Sequence, residues 1–289
     1  MSITSTAPVA PSTRLGGLVR TARPRQWVKN VLVAAAPLAA ERYDGGTMAG
    51  TGVAFVAFCC AASAVYFLND VLDAGEDRGH PDKRLRPVAA GIVPERVALG
   101  GAAALAVTAL ALTLAWRPAA AGVLAGYLLV NACYCRWLKH VLIVDMAVVS
   151  SGFLLRAAYG GVMAAVPLTR WFLIVLGAAA LFAVAGKRFS ELARLGADGL
   201  AVRPSLDQYS VSYLRFVWQS AGTVAMTVYC LWAFPAHSLT IIPFGLALLR
   251  YAWHIDRAAA GAPESVVFGD RWLLGLGVAW VALFVGANG

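Results

Sequence analysis

Residues 69–87 read NDVLDAGEDRGHPDKRLRP and follow an apolar run over 47–68 that is long enough to cross a bilayer. Asp70, Asp73 and Asp77 are spaced i, i+3, i+7, so a continuing helix places them within about 60° of one another on one face. Like charges repel at that spacing, and a helix C-terminus already carries partial negative charge, so the strip implies a counter-cation. Three carboxylates with Asn69 beside them, at a membrane surface, suit Mg²⁺, which takes a few carboxylates and completes its shell with substrate phosphates. The bland reading pairs the acids with Arg78, Lys83, Arg84 and Arg86 as surface charges. The sharper one has Gly75, Gly79 and Pro81 end the helix and fold Lys83, Arg84 and Arg86 back over the acids, where the arginines serve as phosphate forks.

The rest of the chain sets this strip in a membrane. Of 289 residues, 60% are hydrophobic and 13% charged, against about 45–50% and 25% in soluble domains. Hydrophobic runs recur throughout, leaving no room for a separate soluble domain, so an all-α polytopic membrane protein is expected. It comprises a disordered Ser, Thr, Pro and Ala-rich tail over 1–13 and a single helical membrane domain over 14–289. Candidate spans fall near 27–44, 47–68, 96–115, 118–136, 141–164, 169–186, 212–234, 237–253 and 272–288, which predicts nine transmembrane helices. Lys29, Asn30 and Pro37 interrupt the first.

With the N-terminus inside, 20 of the 24 Lys and Arg residues fall on inward segments; Arg42, Arg117 and Arg170 fall outside, and Arg156 lies within the fifth span. That asymmetry predicts a multi-pass plasma-membrane protein with its site facing the cytoplasm. It also accounts for the net charge of +9 without nucleic acid, through lipid headgroups and phosphates. The inward connections 69–95, 187–211 and 254–271 are long and carry both charge signs, which predicts a cytoplasmic loop cap. The five cysteines sit in apolar runs without Cys-x-x-Cys spacing and read as packing residues.

Further polar residues gather at the same end. Gln26, Lys29 and Asn30 are i, i+3, i+4 and share one face of an α-helix, and Arg156 is expected to need an anionic partner at depth. Asp145 lies on its helix face three turns away. Tyr134 and Lys139 mark the inner end of the fourth span, where a snorkelling lysine is the bland reading. His80, His140, His237 and His254 are read as loop or interface residues.

RPRQWVKN (Arg23–Asn30), NDVLDAGED (Asn69–Asp77), KRLRPVAAG (Lys83–Gly91) and Tyr134 followed by Leu138 and Lys139 resemble the UbiA superfamily of intramembrane prenyltransferases. The resemblance covers essentially the whole chain and implies a nine-helix bundle with Mg²⁺ held at Asp70, Asp73 and Asp77, assisted by Asn69. Ordinary members carry a second aspartate-rich motif after the sixth span; here the stretch reads AGKRFSELARL, residues 185–195, with Lys187, Arg188 and Glu191. Together with FLLRAAYGG (Phe153–Gly161) and APESVVFGDR (Ala262–Arg271), this is similar to the branch that moves 5-phosphoribosyl from 5-phosphoribosyl 1-diphosphate to a polyprenyl (decaprenyl) phosphate for cell-wall arabinan. On that resemblance Gln26, Lys29, Asn30, Lys83, Arg84, Arg86, Tyr134, Lys139, Arg156, Lys187, Arg188 and Glu191 form the substrate-binding set. Two alternatives stand beside it: a Mg²⁺-dependent prenyltransferase with an aromatic acceptor, and a non-catalytic transporter, whose ion site belongs at the midplane. A homo-oligomer is compatible with all three.

Overall fold

The structure is a computed structural model that describes residues 13–199 and 208–286, with side chains described up to Arg194 in the first stretch. The tail over 1–12, Arg203 and the end of the expected last span lie outside the described residues. All regular structure among those described is helical.

Helix α1 (Arg14–Ala22) is capped by the Thr13 side chain and ends where Arg23 turns left-handed at φ 52°. The chain then runs as a 3₁₀ helix over Pro24–Ala34 before the short α2 (Ala35–Ala39). The expected first span is therefore not a regular α-helix, and the reason lies in what it packs on. Trp27 Nε1 donates to Ser63 Oγ at 3.0 Å, Asn30 Nδ2 to Cys59 Sγ at 3.3 Å, and Val33 and Ala36 lie against Gly160 and Gly161. These inward residues recur every three positions, the period of a 3₁₀ helix. At three residues per turn, position i+4 swings a third of a turn away from i, so Asn30 leaves the face of Gln26 and Lys29. The shared face expected for all three does not form.

Helix α3 (Gly45–Leu72) is 28 residues long and is N-capped by Asp44, whose side chain accepts from Thr47 N at 3.0 Å. The chain breaks at Asp73 into α4 (Ala74–Gly79) and a 3₁₀ turn at Lys83–Leu85. There follow α5 (Glu95–Trp116), α6 (Ala121–Arg136), α7 (Val144–Met163), α8 (Arg170–Gly199), α9 (Val211–Ala233), α10 (Ile241–Asp256), α11 (Pro263–Gly269) and α12 (Arg271–Gly286). Lys187, Arg188 and Glu191, expected on a loop, therefore stand on α8.

Among the described residues six helices are long and apolar enough to cross a membrane, and α11 with α12, meeting at 91°, makes a seventh if the bent pair is one span. The chain is a multi-pass membrane protein. Two of the nine expected spans do not pass on length and apolarity alone. The first is the 3₁₀ segment with α2; the other is α9, 23 residues long but diluted by Arg215, Gln219 and several hydroxyl residues.

Helix α3 presents Ala54, Ala57, Ala61, Ala62 and Ala64 buried, letting neighbouring backbones approach closely, as association without a hydrophobic driving force requires. Phe58, Leu124, Tyr127, Tyr159 and Met163 complete one core. A second forms around Phe182, Phe189, Leu214, Trp218, Tyr251 and Ile255, with Met146 of α7. A smaller cluster of Phe67, Ala74, Val88, Val93 and Ala98, covered by Leu18 and Ala22, fastens α1 and the 87–93 turn over the end of α3. This is the cap under which the acids lie.

Candidate active site

The break at Asp73 divides the acidic strip. Asp70 and Asp77 are each 1% exposed and converge on one guanidinium: Arg86 Nη1 lies 2.7 Å from Asp77 Oδ2 and 3.5 Å from Asp70 Oδ1. Arg23 also donates to Asp70, from the left-handed turn that ends α1, while its guanidinium stacks 4.9 Å over the Tyr66 ring. Asp73 points elsewhere, accepting from Lys139 Nζ at 2.6 Å and Asn69 Nδ2 at 3.0 Å. Burial works against the Lys139 charge, but the hydrogen bond and charge of Asp73 outweigh it and hold the ammonium above the ordinary lysine range. Three acids thus meet three cations. Arg78 pairs instead with Glu95 at 3.0 Å, Lys83 is half-buried, and Arg84 is exposed.

Arg188, 7% exposed, lies 3.4 Å from Asp145 Oδ2 and 3.3 Å from Glu191 Oε2, with Tyr134 within electrostatic reach. Lys187 lies 3.8 Å from Glu191 with its side chain 39% exposed. Tyr209 donates to Asp145 and accepts from the Ile143 amide at 2.8 Å, and burial together with the Asp145 hydrogen bond pushes its phenol up. Ile143 has φ 69°, an outlier for a β-branched residue, so Tyr209 pins a strained turn. That turn carries Lys139 to Asp73.

Arg156 was expected to find an anion, and among the described residues it finds neutral oxygens. Its Nε donates to Asn30 Oδ1 at 3.0 Å, Nη1 to the Gly152 carbonyl at 2.9 Å and Nη2 to Tyr127 Oη at 3.5 Å. The rings of Phe58, Tyr127 and Phe153 surround it at 5.3–5.6 Å. Cation–π contact and three neutral acceptors replace the counter-ion. Asp145, on the same helix, is taken by Arg188. The histidines fall at loops and interfaces: His254 Nε2 lies 2.7 Å from Asp270, His237 lies 3.4 Å from Glu41, and His80 Nδ1 accepts from the Asp82 amide.

Lys29 ion-pairs with Glu264 of α11 at 3.1 Å. The pair stands at the end of an apolar groove of about 670 Å³ between the 3₁₀ segment, α8 and α11, lined by Leu32, Ala35, Leu176, Ala180, Val267 and Phe268 among others. The groove continues through Ala35, Leu38, Leu176 and Ala179 into a second apolar cavity of about 270 Å³, beneath Trp232, Trp280 and Phe284. Tyr66, one turn before Asp70, lies within electrostatic reach of Arg23, Arg156 and Glu264 and so links the groove end to the acids. Glu264 and Arg23 were not picked out as site residues. A lone acid in a short mixed-charge stretch has no periodicity to mark it, whereas the Arg23–Pro24 pair signals a chain turn.

Among the described residues no three His, Cys, Asp or Glu side chains converge closely enough to hold a metal by themselves. Yet Asp70 and Asp77 already share one cationic nitrogen, and their hard oxygens fit an ion that needs only one or two carboxylates and draws the rest from phosphate and water.

A helical membrane bundle with aspartates where its first long helix ends matches the model of the UbiA prenyltransferase family over residues 30–275, and the chain belongs to that family. It is 46% identical over 284 residues, covering 94% of each chain, to decaprenyl-phosphate phosphoribosyltransferase of Mycobacterium tuberculosis. To the protein of the same name from Corynebacterium glutamicum it is 41% identical, covering 95% of this chain and 87% of that one. Its fold resembles that of a UbiA homologue from Archaeoglobus fulgidus solved with Cd²⁺, with a TM-score of 0.69 at 14% identity over 94% and 97% of the two chains.

Proposed function

We propose that this chain transfers 5-phosphoribosyl from 5-phosphoribosyl 1-diphosphate to a polyprenyl (decaprenyl) phosphate, releasing diphosphate, as a step toward cell-wall arabinan. The observation that carries this reading is the junction of an acid–guanidinium basin, suited to a diphosphate, with an apolar groove ending in a lysine, suited to a lipid phosphate. The names of the relatives at 41–46% identity support the same substrates. The single domain over 14–289 carries the whole site, facing the cytoplasm.

Asp70 and Asp77 would hold Mg²⁺ for the sugar's diphosphate, with Asn69 and Asp73 beside them. The ion, when bound, neutralises the diphosphate and stabilises it as a leaving group. Arg86 offers its guanidinium to phosphate oxygens, with Lys83 and Arg84 on the same turn, while Arg23 stays with Asp70. Lys139 holds Asp73 in place through their 2.6 Å contact. The C1–oxygen bond to diphosphate breaks with its electron pair leaving on the diphosphate, while a lipid phosphate oxygen bonds to C1 from the opposite face. The attacking oxygen is already anionic, so no general base is needed. Lys29 and Gln26 hold the acceptor end, Asn30 and Arg156 stiffen the wall behind it, and Tyr134, Lys187, Arg188 and Glu191 form the polar rim on the far side.

Purified protein with labelled phosphoribosyl diphosphate, polyprenyl phosphate and Mg²⁺ should yield labelled lipid. Transfer only from a prenyl diphosphate to an aromatic acid would overturn the assignment.

A further inference from the structure

The groove end handles negative charge differently from the acid basin. In the basin three carboxylates meet Arg23, Arg86 and Lys139. On the groove wall, by contrast, Lys29 and Glu264 are the charged residues among those described. Their side chains are 25% and 16% exposed. Both Glu264 oxygens are buried, and the carboxylate rests on the 3.1 Å ion pair with Lys29 together with Gln26 and its own backbone amide. A buried carboxylate tolerates added negative charge beside it badly. The next cation inward, Arg156, is committed to Asn30 and backbone oxygen, and Arg23 to Asp70.

We propose that the Lys29–Glu264 pair sets headgroup specificity, admitting a polyprenyl chain that bears one phosphate and turning away the same chain bearing a diphosphate. This rests on the reading that the acceptor's tail occupies the apolar groove. When the lipid arrives, Lys29 Nζ exchanges Glu264 for a phosphate oxygen, and one ammonium offsets roughly half to two thirds of a monophosphate's charge of about −1.5 to −2. A diphosphate brings about one further negative charge, with no second cation among the described residues of the wall to meet it. That charge falls beside Glu264, and repulsion between like charges in a half-buried site is several-fold stronger than in water. Because Lys29 stands on the 3₁₀ segment and Glu264 on α11, the pair also sets the width of the opening. The donor's diphosphate is spared this test because the acid basin receives it.

The experiment uses full-length protein in detergent with polyprenyl monophosphate, polyprenyl diphosphate and free polyprenol of one chain length. It measures the Michaelis constant for the monophosphate, the inhibition constant of the diphosphate, and the thermal shift each lipid produces without donor. Wild type should favour the monophosphate at least about tenfold over the diphosphate, or about 1.4 kcal/mol. Glu264→Gln should shrink that ratio about tenfold, and Lys29→Gln should raise the monophosphate Michaelis constant about tenfold while leaving polyprenol binding unchanged. If Glu264→Gln does not fold, the Lys29→Gln, Glu264→Gln double variant replaces it and should bind all three lipids alike. An unchanged monophosphate-to-diphosphate ratio in these variants overturns the proposal, as do equal thermal shifts in wild type. A wild type that distinguishes the lipids by thermal shift but transfers nothing would defeat the proposed function and leave the discrimination standing.

Discussion

Asn30 Oδ1 accepts a hydrogen bond from Arg156 Nε at 3.0 Å, joining two buried residues 126 positions apart in sequence. Asn30→Leu removes that acceptor and the bond to Cys59, and stranding a buried charged donor costs about 1–3 kcal/mol or more. The thermal midpoint in detergent should fall, whereas Asn30→Asp, which supplies a carboxylate to the guanidinium, should hold or raise it. Equal losses in both variants would mean that packing volume, not the hydrogen bond, decides.

The acids should be separable by what each does to folding. Asp77→Ala and Asp73→Ala should each abolish turnover, and an excess of chelator should do the same to wild type. Arg86→Met leaves Asp70 and Asp77 buried around a missing cation, a change that costs about 3–5 kcal/mol for a buried pair. Its melting temperature should therefore drop more than that of either Ala variant, and full activity in chelator would remove the metal from the mechanism.

Tyr209→Phe withdraws the hydroxyl that both accepts from Ile143 and donates to Asp145. The strained turn then loosens and Lys139 loses its aim at Asp73. Turnover should fall about tenfold or more, and Tyr209→Phe combined with Lys139→Met should be little worse than Lys139→Met alone, since residues acting through one contact are not additive. Additive losses would show that the two act independently. On α8, Arg188→Ala should cost stability because it strands Asp145, while Lys187→Ala should act chiefly on the Michaelis constants.

Topology is open to a labelling measurement. With native cysteines removed, Ser5→Cys should react from the cytoplasmic side and Ala287→Cys from the outer side. Labelling from the same side would change the span count by one.

The acids, the helix that ends at them and the basic turn that folds back were legible because charge in an apolar chain is sparse and each instance stands out. Arg86 closing on Asp70 and Asp77 follows from that pattern. What the sequence could not display was the partner of each cation. Arg156 resembles a residue in search of a carboxylate, but three aromatic rings and neutral oxygens drawn from four different elements satisfy it. Glu264 is equally silent, since its meaning comes from lying opposite Lys29, 235 positions away in sequence. Likewise the 24–34 stretch has a helical pattern compatible with two windings, and only its neighbours select one.

That winding makes residues 24–34 behave like an overwound spring. A 3₁₀ helix rises about 2.0 Å per residue against 1.5 Å for an α-helix and turns 120° rather than 100°, so relaxing eleven residues would shorten the coil by roughly 5 Å and rotate its end by roughly 220°. Gly160 is the clamp: a Cβ there would sit 1.9 Å from the Val33 carbonyl oxygen. With the clamp in place, adjacent residues Lys29 and Asn30 face different worlds, one the lipid groove and the other the protein interior. A single methyl group at position 160 would lift the coil off its seat, and nothing would then hold those two faces apart.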